Sequence, residues 1–137
     1  MTGIDAGPLH HIGVVVPSLA DAIPFYRDVL GYAVGPEHRL DEQRVKVVFV
    51  TKGRSRVELL EPTDTESGVA RFLKERGRAT MHHVCFEVSD LTVALARISA
   101  QGIELVDKTP RRGALGTVAF LHPRAAGGVL IELLQPL

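Results

Sequence analysis

The chain carries one uncommon dipeptide twice, in the same setting. "LHHIGVVV" (9–16) and "MHHVCFEV" (81–88) each place a His-His pair at the head of an apolar run. The second histidines, His11 and His83, stand 72 positions apart. The likeness runs on: "HIGVVVPSLADAI" faces "HVCFEVSDLTVAL". Each is a short apolar run of strand type, then a polar residue suited to cap a helix (Ser18, Asp90), then a helical pattern. Leu19, Ala22, Ile23, Tyr26 and Leu30 recur at helical spacing in the first copy, and Leu91, Ala94, Leu95 and Ile98 in the second. Gly31 and Gly102 follow as helix ends. Pro24 falls inside the first helix and is expected to kink it rather than end it.

The copies also close alike. "VELLEP" (57–62) faces "IELLQP" (131–136), each preceded by another strand candidate, "VKVVFV" (45–50) and "TVAFL" (117–121). Each copy thus predicts strand, helix and about three strands, or βαβββ. The stretch between them, "TDTESGVARFLKERGRAT", predicts a short helix with Val69, Phe72 and Leu73 on one side. Offsets of 72 and 74 residues exceed the roughly 20–50 of solenoid repeats. The expectation is an α+β fold, one domain over residues 1–137. Its modules cover about 9–62 and 81–136, joined by 63–80, with a site between them.

Strand alternation shows where chemistry collects. His11, Gly13 and Val15 share one face of their run, and His83, Cys85 and Glu87 share one of theirs. Glu58 and Glu132 stand between apolar neighbours in "RVELL" and "LIELL". A carboxylate buried in such a run is costly without a partner or a metal. The repeat pairs the histidines with each other and Glu58 with Glu132. Two imidazoles and two carboxylates suit a divalent ion of the Mn, Fe, Co, Ni or Zn type. With no thiolate among them, a structural zinc knot is disfavoured. Alternation alone leaves open which histidine of each pair is the ligand.

Composition narrows the partners. Sixteen basic residues balance sixteen acidic ones, so the chain lacks the basic excess of a nucleic-acid binder. An apolar content of 45% is that of a globular chain, and no run reaches membrane-spanning length. The lone Cys85 suits a reducing compartment and is expected in the core. "MTGIDAGPL" has neither the charged nor the apolar region of a signal peptide, so the expected location is the cytoplasm.

The stretches "HHIGVVVPSLADAIPFYRDVLGY", "EQRVKVVFVTKGRSRVELLEP", "SGVARFLKERG", "MHHVCFEVSDLTVALARI" and "VAFLHPRAAGGVLIELLQP" resemble the vicinal-oxygen-chelate superfamily. That superfamily takes in glyoxalases, bleomycin resistance proteins and dioxygenases. Within it they resemble the methylmalonyl-CoA epimerase family. The first histidine motif alone would also suit glyoxalases, extradiol dioxygenases and drug-binding relatives. "ELLEP…FLKERG…MHHVCFEV" together with "FLHPRAAGGVLIEL" points to the epimerases.

The resemblance implies paired βαβββ modules forming a cupped mixed sheet around a metal. It implies His11, Glu58, His83 and Glu132 as ligands, with Glu58 where the family carries Gln or Glu. It implies one divalent ion, usually Co²⁺, with Mn²⁺, Ni²⁺ or Zn²⁺ also suited. It further implies an acyl-CoA substrate, a homodimer and a role in propionate metabolism. The reaction would interconvert (R)- and (S)-methylmalonyl-CoA through an enolate by 1,1-proton transfer, with Glu132 also a catalytic base. Alternatives are a glyoxalase I-type lactoylglutathione lyase and a non-catalytic small-molecule-binding protein. The family's second base is a Glu on the strand after an "EQ" stretch. Here that place falls on Val47 or Lys46, so Lys46, Glu42, His122 or a water are the candidates for the second proton. Arg111, Arg112 and Arg124, with the small-residue loop "PRAAGGV", are candidate contacts for the CoA phosphates.

Overall fold

The structure, a computed structural model, describes residues 3–137. The described chain divides into two compact units, residues 11–82 and residues 3–10 with 83–137. The chain therefore passes between units inside each His-His pair. Its element order is the expected α+β one, two βαβββ modules with a helix between them.

The unit of residues 11–82 holds most of β1 (Leu9–Val15), then α1 (Leu19–Pro24), β2 (Ala33–Leu40), β3 (Val45–Lys52), β4 (Ser55–Pro62) and α2 (Gly68–Arg76). Its strands lie in the order β2-β3-β4-β1. β4 runs antiparallel to β3 and parallel to β1. Val48, Val50, Val57 and Leu59 project to one face and pack against Leu19, Ala22 and Ile23 of α1 and Tyr26 just beyond it. Alternation sends His11, Phe49 and Glu58 to the other face.

Pro24 does more than kink the first helix. It has no N–H for the carbonyl one turn back, and α-type pairing stops there. The chain continues over Phe25–Val29 as a wider π-type turn, in which the Leu30 N–H reaches the Phe25 carbonyl at 3.1 Å. The wider turn rotates Leu30 out of the expected stripe and leaves it exposed.

The unit of residues 3–10 and 83–137 contains β5 (Thr80–Glu87) from His83 onward, α3 (Leu91–Ala100), β6 (Arg111–Arg112), β7 (Gly116–Leu121) and β8 (Ile131–Pro136). The order is β5-β8-β7-β6. β8 is parallel to β5 and antiparallel to β7, the same pattern as the other module. Leu91, Ala94, Leu95 and Ile98 of α3 pack on Ala119 and Leu133. On the opposite sheet face Cys85, Val118 and Leu134 form a small cluster beside Glu132.

Gly116 opens β7 at φ +157°, and a β-carbon there would overlap the carbonyl oxygen of Gln135 on the paired β8. Relief would mean parting the β7–β8 ladder. Gly116→Ala is expected to destabilise the protein by about 1–3 kcal/mol, read from chemical denaturation midpoints. An unchanged midpoint would show that the ladder yields at no cost.

Candidate functional site

Each module builds one buried imidazole–carboxylate pair from adjacent parallel strands. In the first, Gly13 of β1 and Phe49 of β3 flank Glu58 in register. His11, two residues before Gly13, shares its face and brings Nε2 to 3.5 Å from Glu58 Oε1. The side chains are only 3% and 8% exposed. In the second module Cys85 and Phe120 flank Glu132. His83, two residues before Cys85, brings Nε2 to 3.2 Å from Glu132 Oε1, with 1% and 6% exposure. So the second histidine of each pair meets its own module's carboxylate. Of the first histidines, His10 Nε2 lies 4.0 Å from Glu87 Oε1, and the His82 ring stands perpendicular to Phe72 of α2 at 5.0 Å.

The donor chemistry of each pair suits a cation. An ionised carboxylate only accepts, and a neutral imidazole nitrogen can accept too, so both can turn lone pairs toward one positive charge. Water is largely excluded, which strengthens that attraction. Cys85 offers a softer atom, but it is fully buried and packs with Val118 and Leu134, its Sγ 3.9 Å from the Phe86 carbonyl.

The "ELLE" and "ELLQ" stretches also work on their other faces. Three residues beyond each site carboxylate, alternation turns Glu61 and Gln135 to the helix side. Glu61 Oε1 accepts the Leu19 N–H at 2.8 Å, and Gln135 Oε1 accepts the Leu91 N–H at 2.9 Å. Ser18 and Asp90 cap the same helices by accepting from Asp21 and Val93. One strand per module thus presents a site carboxylate and ties down the helix behind it. Two further residues that sequence reasoning missed are Phe49 and Phe120. Phe49 stands perpendicular to His11 at 5.0 Å, and Phe120 to His83 at 5.5 Å. Their signal was the phenylalanine shared by "VVFV" and "VAFL".

The remaining candidates separate by environment. Lys46 faces the helix side with Val48, opposite to Glu58, and its Nζ lies 3.2 Å from Glu61 Oε2. It is therefore badly placed to exchange a proton on the site face. His122 Nδ1 accepts the Arg124 N–H at 3.1 Å, and its Nε2 lies 3.9 Å from Glu104 Oε2. Glu42 occupies the exposed turn between β2 and β3. Arg111 and Arg112 form the short β6, and Arg111 pairs with Asp107 at 3.4 Å. Arg124 is exposed and pairs with Glu104 at 3.2 Å. "PRAAGGV" winds into a single 3₁₀ turn, Pro123–Ala126, that leaves through Gly127 and Gly128 at positive φ.

Paired βαβββ modules, each with a buried histidine beside a strand carboxylate, define a recognised class. Residues 10–121 match the model of the Glyoxalase/Bleomycin resistance protein/Dioxygenase superfamily. The chain belongs to that superfamily and, within it, to the methylmalonyl-CoA epimerase family. The mitochondrial methylmalonyl-CoA epimerase of Bos taurus is 44% identical over 130 residues, covering 94% of this chain and 74% of that one. The ethylmalonyl-CoA/methylmalonyl-CoA epimerase of Cereibacter sphaeroides is 37% identical, covering 94% and 98%. A single-substitution variant of the Streptomyces coelicolor methylmalonyl-CoA epimerase, solved in complex with 2-nitronate-propionyl-CoA, is 32% identical with a TM-score of 0.88, covering 94% of each chain.

Proposed function

We propose that this chain is a metal-dependent epimerase that interconverts (R)- and (S)-methylmalonyl-CoA. The observation that carries the proposal is the buried His83–Glu132 pair, repeated as His11–Glu58, in a chain of this family. In the proposal the two modules form one domain, and His11, Glu58, His83 and Glu132 together hold one divalent ion, with Co²⁺ the first choice. When bound, that ion supplies positive charge against the oxyanion that develops on the thioester as the α-proton leaves.

The chain's own groups move the protons. The carbon to be inverted lies between a thioester carbonyl and a carboxylate, which makes its proton acidic and its anion an enolate. Glu132 takes the proton on one face, and its burial keeps bulk water away from the transfer. Inversion needs a second group to deliver a proton to the opposite face. With Lys46 on the helix side and His122 held beside Arg124 and Glu104, Glu42 and a water are the candidates that remain for that step. The CoA phosphates would meet Arg111, Arg112, Arg124 and the glycine-rich turn at 127–128. The working protein would be a homodimer in the cytoplasm. The buried lone Cys85 suits that location, and no described helix is long and apolar enough to cross a membrane.

The test is a substrate comparison. The Co²⁺-loaded protein is offered (R)-methylmalonyl-CoA, (S)-methylmalonyl-CoA and the hemithioacetal of glutathione with methylglyoxal. Interconversion of the first two and no lactoylglutathione from the third is expected. Turnover of the hemithioacetal alone would transfer the chain to the glyoxalase class, and turnover of none would favour a binding protein.

A further inference from the structure

We propose that Phe49 and Phe120 are positioning residues that set the ring planes of His11 and His83 for metal binding. The inference rests on the metal reading above and deepens it. An imidazole swings about two bonds, so what packs against its ring helps to set its plane. In both modules a phenyl ring meets the imidazole at a steep angle, 85° at His11 and 84° at His83. Such perpendicular contacts are favoured by the ring quadrupoles and resist rotation of either ring.

The placement is the same in the two halves. Each phenylalanine lies on the strand antiparallel to the one that bears the carboxylate, directly opposite that carboxylate in register: Phe49 faces Glu58 and Phe120 faces Glu132. One residue can thus hold the imidazole and wall the carboxylate from water. Neither offers a donor atom, so any effect on metal must come through the histidine and the local dielectric. Outer partners of metal-bound histidines ordinarily act by hydrogen bonding. Here a ring of fixed orientation does part of that task.

The experiment titrates metal-stripped wild type, Phe49→Leu, Phe120→Leu and Phe120→Tyr with Co²⁺. It follows affinity and the visible absorption of the bound ion, which reports ligand geometry. Leucine keeps apolar bulk but removes the ring. Each Leu variant is expected to bind Co²⁺ roughly two- to tenfold more weakly, with an altered spectrum. Phe120→Tyr, which retains the ring at a half-buried position, is expected to restore both. A merely structural role would lower the melting temperature of the metal-free protein and leave affinity and spectrum unchanged. If wild type takes up Co²⁺ and the Leu variants match it in both, the positioning role is wrong while the metal reading stands. If wild type takes up no Co²⁺, both fall.

Discussion

Glu132→Gln is expected to lower the rate of methylmalonyl-CoA inversion on the order of 10²–10⁴-fold, the usual contribution of a positioned general base. The amide keeps an oxygen where Glu132 Oε1 lies, 3.2 Å from His83 Nε2, but no longer accepts a proton at neutral pH. The variant should therefore retain part of its metal while losing turnover. It should also fold, because Gln135 three residues on still ties β8 to α3. A Gln variant that inverts substrate at near wild-type rate would leave Glu132 a ligand only. Glu42→Gln in the same assay separates the two remaining candidates: slowed inversion with exchange of the α-proton on the Glu132 face intact assigns the second proton to Glu42, and an unchanged rate assigns it to a water.

His83→Ala has the second large expected effect. It removes one nitrogen donor and leaves the Glu132 carboxylate buried without its imidazole neighbour, a costly arrangement. Co²⁺ affinity should fall by more than the roughly 10–100-fold that loss of an outer partner costs, as read by equilibrium dialysis. His11→Ala should behave likewise. His10→Ala and His82→Ala should keep their metal, because His11 and His83 are the rings that reach Glu58 and Glu132. If His82→Ala stripped the ion as fully as His83→Ala, the assignment of ligands within the pairs would be reversed.

Local pattern carried much of the fold. The two-residue period of "HIGVVV" and "HVCFEV" and the helical spacing of Leu91, Ala94, Leu95 and Ile98 are short-range signals, and the elements formed where those signals lay. The repeat did the rest, since a residue type that recurs at matching positions is unlike a random one. It named both carboxylates and narrowed the histidines to two pairs. What it left open depended on partners distant in the chain. Lys46 is a fair acid–base candidate by residue type, but the β3–β4 register puts it opposite Glu61, on the helix side. The capping duty of Glu61 and Gln135 spans 42 and 44 residues, so no local window reveals it. Nor does spacing show whether Pro24 bends a helix or converts it to a π-type turn, because that depends on how the chain after it packs.

In the proposed mechanism one divalent ion and the Glu132 carboxylate together labilise the α-proton of methylmalonyl-CoA. The most direct measurement is α-proton exchange in D₂O, followed by NMR on the same sample before chelation, after chelation and after Co²⁺ is returned, with metal per chain determined at each stage. Deuterium is expected at the α-carbon with about one ion bound per chain, none above the uncatalysed rate in the stripped protein, and recovery with Co²⁺. Undiminished exchange in protein shown to be metal-free, or no exchange in protein shown to be loaded, would contradict that mechanism.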